Sequence, residues 1–388
     1  MTNATTRRMY IFLIVLAVAS AAAFQGWRTL LNNFAVEVAG VDGVEMGIIQ
    51  SLREVPGFLA LLAVYLILIL REHRLAAVST LVLGLGVALT GLLPSFGGIV
   101  VTTMLMSFGF HYYETMSQSL TLQYFGVREA PLVMGRLRSL GALTNVVTGG
   151  AVWLMAARLG YPVMFAVAGG VAMAAGLWAM VQDPSSPDLP PQHKKIFLKR
   201  KYWLFYILTF LSGARRQIFV AFAVFLLVTR FGYSVQAVTV LFVGNNVLNY
   251  FANPLIGKAV NRFGERKVLS LEYFALVFIF VGYALTENAW LAGALYVLDN
   301  LFFNFAMSIR TFYQKIAEPG DIASGMATGF TVNHIAAVFI PALGGLAWMA
   351  DHRLVFYGAA CLAGCSLVLV QFIDRELGLA RDRNREVD

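Results

Sequence analysis

Arg215 and Arg216 stand side by side near the middle of an apolar run that contains no acid. Arginine keeps its charge and offers a planar fork of donors that fits a carboxylate or a phosphate. Five further arginines lie inside apolar runs, Arg28, Arg53, Arg136, Arg138 and Arg310, against four acids, Glu54, Glu114, Glu272 and Asp299. That imbalance points to the binding of an anion, held by Arg215 and Arg216 with Arg28, Arg53 and Arg138 assisting. Arg136 and Arg138 sit within two turns of the start of their run and can snorkel outward. Arg215 and Arg216 lie about thirteen residues from theirs, roughly 20 Å at the helical rise, and cannot easily do so. Their countercharge is Asp299, Glu114 or the anion itself. Pairing of the arginines inside the protein is the competing reading. Amides at Asn145, Gln217, Asn246, Asn249, Asn300 and Asn304 read as neutral donors and acceptors of the same site, although asparagines on one helix face also join helices.

The second chemistry is proton transfer. His111 and Glu114 are three residues apart, so they share a helix face and each shifts the other's protonation. Glu114 is the first candidate carrier, with His111, Asp299, His334 and Glu54 behind it. His334 reads equally as a hydrogen-bonded structural histidine. No phosphate-binding loop, nucleophile elbow or metal-ligand spacing occurs, so the residues predict no enzyme, no cofactor and no bound metal. Cys361 and Cys365, four apart, read as small buried thiols on a lipid-facing helix.

The elements that must position these groups are helices in a bilayer. Of 388 residues, 59% are hydrophobic and 13% charged, with a mean hydropathy of +0.72. A spanning helix takes about 20 apolar residues, and about twelve such runs occur, at 10–33, 44–70, 75–93, 98–124, 132–156, 162–181, 202–228, 234–256, 268–286, 289–314, 322–350 and 354–373. The first run, behind Arg7 and Arg8, has features of a secretory signal, but its polar positions continue at helical spacing and its loss would break an internal repeat. The net charge of +8 lies in short loops, which reads as membrane orientation and not as nucleic-acid binding. With both termini cytoplasmic, nineteen Lys and Arg fall in cytoplasmic segments, and Arg158, Arg230 and Arg353 fall outside. The expected location is a bacterial inner (plasma) membrane.

Residues 182–201 form the one long polar linker, with Pro184, Pro187, Pro190 and Pro191 followed by Lys194, Lys195, Lys199, Arg200 and Lys201. It separates a six-helix half at 1–181 from a second at 202–388. The halves repeat: a shift of 195 places Gly149, Gly150, Trp153 and Arg158 on Gly344, Gly345, Trp348 and Arg353. Polar residues at helical spacing stripe the first, second, fourth, fifth, seventh, eighth, tenth and eleventh helices. Every third helix is dry, Glu272 excepted. Polar groups at membrane depth belong beside a cavity or a partner helix, so eight striped helices predict a wet path.

Between the eighth and ninth runs the chain reads Gly257-K-A-V-Asn261-Arg262-F-Gly264-E-Arg266-Lys267. Two glycines suit a tight loop, and the basic residues mark it as cytoplasmic. The stretch resembles the loop motif of the major facilitator superfamily, with Asn261 where the family has Asp. The resemblance implies an all-α integral membrane protein of twelve transmembrane helices in two pseudo-symmetric halves. It implies that the dry helices form the outer layer and that the halves rock about a central site. Gly257, Asn261, Arg262, Gly264 and Arg266 would then lock the cytoplasmic side. The fourth helix lacks the family's arginine. The fifth keeps outer glycines but has Asn145 and Val146 where antiporters have Gly-Pro, while the eleventh keeps Pro341. These departures weigh against drug/proton antiport.

The sequence thus predicts a monomeric secondary transporter in the lipid bilayer, moving a small organic or phosphate-like anion by alternating access and coupled to H+. Its first rival is a proton-driven exporter of lipophilic or cationic compounds with the arginines paired internally. The second is a transporter-like sensor or lipid-handling protein.

Overall fold

The computed structural model describes residues 4–156, 158–193 and 198–385. Lys194 and Lys195 of the linker lie outside the described residues, as does the side chain of Pro341. All regular structure among them is helical. Twelve helices follow in order: α1 Ala4–Glu37, α2 Gly43–Phe58, α3 Glu72–Thr90, α4 Phe96–Tyr124, α5 Ala130–Ala156, α6 Tyr161–Val181, α7 starting at Trp203–Ile218, α8 Val235–Phe263, α9 Glu265–Leu285, α10 starting at Ala289–Phe303, α11 Ile322–Ala350 and α12 starting at His352–Leu369. Nine of these stretches are long and apolar enough to cross a membrane. The other three, α4, α8 and α11, have 29 residues each, about 43 Å at the helical rise and ample for a bilayer.

Local chemistry sets the starts. Asp42 and Glu45 form a capping box on α2, with bonds of 2.8 and 3.1 Å. Ser95, Ser234 and Asn288 cap α4, α8 and α10 through side-chain oxygens. Each satisfies a backbone N–H that the first helical turn leaves without a partner.

Four helices change winding midway, α12 at a 3-10 turn over Val370–Phe372 before Ile373–Arg385. Pro56 lacks a donor and interrupts α2, which passes through a 3-10 turn at Leu59–Leu62 before Ala63–Leu66. The loosened backbone bonds elsewhere: Tyr112 Oη donates to the Leu59 carbonyl at 3.2 Å and the Leu61 N–H donates to Thr331 Oγ1 at 2.9 Å. A π-turn at Phe219–Ala223 comes after the arginine pair in α7, before Val224–Phe231. A 3-10 turn at Asn304–Ala306 divides α10 from its continuation Met307–Ile316.

The chain forms two compact units. The first comprises residues 1–126, 137–197 and 319–331, the second 127–136, 198–318 and 332–388. In the first, Trp27, Phe34, Leu83, Val87, Met106 and Phe165 are buried in one core drawn from α1, α3, α4 and α6. In the second, α9 packs on α12, with Tyr283 stacked on Phe356 at 5.0 Å between centroids.

The Gly257–Lys267 stretch differs from the expected loop. Helix α8 runs on to Phe263, α9 starts at Glu265, and only Gly264 breaks the helix, at φ +80. A left-handed φ favours glycine there. Gly257 is helical, and its reason is close approach, not turning: an added Cβ would stand 2.4 Å from the Pro131 carbonyl oxygen. Cys361 and Cys365 also differ from expectation, being exposed on α12. Side chains four apart share a helix face, and here that face is open.

Candidate functional site

The first unit presents polar groups from α1, α2, α4 and α5. On α1, Gln25 Nε2 donates to Thr29 Oγ1 at 3.1 Å, while Arg28, Thr29 and Asn32 are exposed. On α2, Arg53 Nη2 meets Glu54 Oε1 at 2.7 Å, with both side chains partly buried. Ser107 of α4 donates to the Arg53 carbonyl. A ring nitrogen of buried His111 lies within 4.8 Å of a Glu54 carboxylate oxygen. The sequence pairs His111 with Glu114 along α4. The structure brings it to Glu54 of α2, while Glu114 accepts from Gln118 at 3.3 Å. Two helices crossing at this depth decide that meeting. Arg138 and Asn145 are partly buried on α5.

In the second unit the two neighbouring arginines part company. Arg215 is buried, 3% exposed. Its guanidinium donates to Ser366 Oγ of α12, approaches Glu272 Oε1 of α9 at 3.8 Å and lies 4.5 Å from the centre of the Tyr273 ring. Asp299 of α10 is also buried, and its Oδ2 has no hydrogen-bond partner among the described residues. Arg216, about 100° further round the helix, is only partly buried. Gln217 and His334 are buried. Glu272 and Ser366 lie on helices read as dry, so sequence reasoning does not attach them to Arg215. The only signal is Glu272 itself, a lone acid in an apolar run.

The asparagines of α8 and α10 bind one another. Asn249 Nδ2 donates to Asn300 Oδ1 at 2.8 Å, and Asn304 Nδ2 donates to Asn249 Oδ1 at 2.9 Å. Asn246 Nδ2 donates to the Phe242 carbonyl at 2.9 Å. This network joins two helices where the backbone of α10 changes winding. Buried Asn245, which sequence reasoning passes over, has no partner at either end of its amide among the described residues.

The glycine-rich stretch makes its own cluster. Gly257 meets the Pro131 carbonyl, and an added Cβ on Gly135 would stand 2.5 Å from the Asn253 carbonyl oxygen. Asn261 Nδ2 donates to the Arg128 carbonyl at 2.6 Å. Arg262 is exposed, and Arg266 Nε meets Asp374 Oδ2 at 2.9 Å. The asparagine that replaces the family's acid thus acts as an amide donor, which aspartate is unable to do when ionised. Nearby, outside the spans, Lys201 and then Lys199 hold the Glu318 carboxyl below its ordinary range.

The sequence profile of the Major Facilitator Superfamily matches residues 9–341. No curated protein matches the chain. Among solved structures, the chain superposes on FucP, a Major Facilitator Superfamily transporter in the outward conformation. The TM-score is 0.76 and the identity 12%, over 94% of this chain and 98% of that one. It superposes similarly on the human organic anion transporter MFSD10 (TETRAN), with TM-score 0.75 and 13% identity over 94% of this chain and 99% of that one. A variant of the E. coli fucose:proton symporter FucP gives 0.75 and 12% over 94% of this chain and 98% of that one. At these identities the likeness is one of fold.

Proposed function

Since the chain belongs to the Major Facilitator Superfamily and is an integral membrane transporter, we propose that it moves a small organic or phosphate-like anion by alternating access, coupled to protons. The observation that carries the reading is the charge balance at membrane depth. Seven arginines lie in the membrane runs, Arg28, Arg53, Arg136, Arg138, Arg215, Arg216 and Arg310, against four acids, Glu54, Glu114, Glu272 and Asp299. A surplus of positive charge away from water is costly, and an anionic substrate offsets it. Similar folds carry different cargo, an organic anion in one neighbour and fucose with a proton in another, so the cargo's charge is read from the arginines and not from the fold.

In this reading Arg215 is a positioning residue. Its bonds to α9 and α12 fix the turn of α7 that presents Arg216 to the substrate; Arg28 and Arg138 are the candidate substrate residues of the first unit. Glu54 and His111 relay protons in the first unit. In the second, Asp299, buried with an oxygen that has no hydrogen-bond partner among the described residues, takes up and releases the coupling proton. The amides Asn145, Gln217, Asn246, Asn249, Asn300 and Asn304 fix the orientation of the helices around the substrate. The excess of Lys and Arg in alternate loops supports cytoplasmic termini, and the reading is of a monomer in a bacterial inner membrane.

The internal pairing of Arg53 and Arg215 favours one rival, export of lipophilic cations driven by protons. Thermal unfolding of the purified protein separates the two. Organic and phosphate anions are expected to raise the melting temperature, with the effect changing between pH 6 and pH 8. Arg216→Ala is expected to abolish that rise while melting near the wild type without ligand. Stabilisation by cations alone, surviving Arg216→Ala, would move the function to cation export.

A further inference from the structure

Residues 183–193 of the polar linker are built as a fixed strap. Asp183, at its start, reaches Arg71 Nη1 at 3.4 Å and His73 Nε2 at 3.6 Å, and the Ser186 N–H donates to Tyr124 Oη at 3.2 Å. Pro184, Pro187, Pro190 and Pro191 stiffen the strap from there to Gln192, because proline fixes φ and removes a donor. The stiff arm presents Gln192 and His193 to the start of α11. There Gln192 Oε1 accepts from the Ala323 N–H at 3.0 Å while its Nε2 donates to the Pro319 carbonyl at 2.9 Å. The His193 N–H donates to the Gly320 carbonyl at 2.7 Å, and His193 Nδ1 lies 2.7 Å from Oδ1 of fully buried Asp321. The first backbone N–H groups of a helix have no partner within it. Gln192 supplies one from more than a hundred residues upstream.

We propose that Gln192 and His193 form a latch that holds the first turn of α11 in the first compact unit, and that the transport cycle requires its release. By chain order 319–331 belongs to the second half, yet it packs as part of the first unit. Among the features that tie it there, three are Thr331 accepting from Leu61, the Phe330 ring against the His111 ring at 5.7 Å, and the strap. The strap is the only one of the three outside the membrane helices. It is therefore the one that a cytoplasmic partner or a change in the linker can reach.

The inference rests on alternating access and is independent of the substrate's charge. Its test is thiol labelling of the full chain in inside-out vesicles, with Cys361→Ser and Cys365→Ser removing the native thiols. Thr328→Cys is the reporter: Thr328 is 5% exposed, its hydroxyl has no partner among the described residues, and it lies beyond the first turn, so simple fraying of the helix end does not expose it. Adding Gln192→Ala and His193→Ala is expected to speed labelling by a membrane-impermeant maleimide at least about fivefold, the effect of losing roughly one net hydrogen bond. If the double variant folds poorly, His193→Ala alone, at a side chain 57% exposed, gives the same test. An unchanged labelling rate in a folded variant overturns the latch. Faster labelling with no response to any anion would keep the latch and overturn the anion reading.

Discussion

Glu272→Ala will melt roughly 5 °C below the wild type. Arg215 is 3% exposed and Glu272 2%, so both charges are out of water. Removing the acid strands a guanidinium with one hydroxyl, Ser366, and the face of Tyr273. An uncompensated buried charge costs about 3–5 kcal/mol, and the Tyr273 face returns about 1–2 kcal/mol of that at most. The double change Arg215→Met with Glu272→Leu should recover most of the loss, because an apolar pair of similar volume needs no countercharge. Thermal unfolding in detergent, read by intrinsic fluorescence, measures both. A single variant melting within about 2 °C of the wild type would mean that the pair contributes little and that Arg215 is available to a ligand after all.

The second large effect is conformational. Gly135→Ala with Gly257→Ala puts a methyl 2.5 Å from the Asn253 carbonyl oxygen and another 2.4 Å from that of Pro131. Both glycines are helical, so alanine strengthens the helices themselves, by up to about 1 kcal/mol each. Only the contact between the start of α5 and α8 suffers. Overpacking costs about 1–3 kcal/mol at each site, enough to separate the two helices in most molecules. Met134, buried at 6% exposure three residues from Pro131 and next to Gly135, reports it when changed to cysteine in the background lacking Cys361 and Cys365. Labelling should rise at least about tenfold while the melting temperature holds, since separating the helices costs on the order of 1.4 kcal/mol less for each factor of ten. Protection retained in the double variant would show that the contact tolerates the methyls and does not act as a closure.

These two effects differ in how far the sequence anticipates them. Gly257 is visible because its spacing to Gly264 and the basic residues is distinctive, although its use in a close contact and not in a turn is not. The partner of Gly257, the Pro131 carbonyl, is a backbone atom and leaves no trace in side-chain chemistry. Asn249, Asn300 and Asn304 are visible as polar residues at depth, but their bonds to one another depend on where α8 crosses α10. The latch is invisible: Gln192 and His193 sit in a polar segment where such residues are ordinary, and Asp321 looks like any residue at a helix start.

The membrane class, the number of helices, their places and the positive charge surplus within them are all legible before any folding. Each rests on local properties: a run of about 20 apolar residues spans a bilayer wherever it occurs, helical bonds close within four residues, and charge counts need no geometry. Which arginine is buried emerges only on packing. Arg215 and Arg216 are adjacent in the chain and chemically identical, and a rotation of about 100° sends one to Glu272, Ser366 and Tyr273 and leaves the other partly open. That rotation is set by the packing of α7 against α9 and α12, through contacts between residues far apart in sequence, which no pattern within α7 encodes.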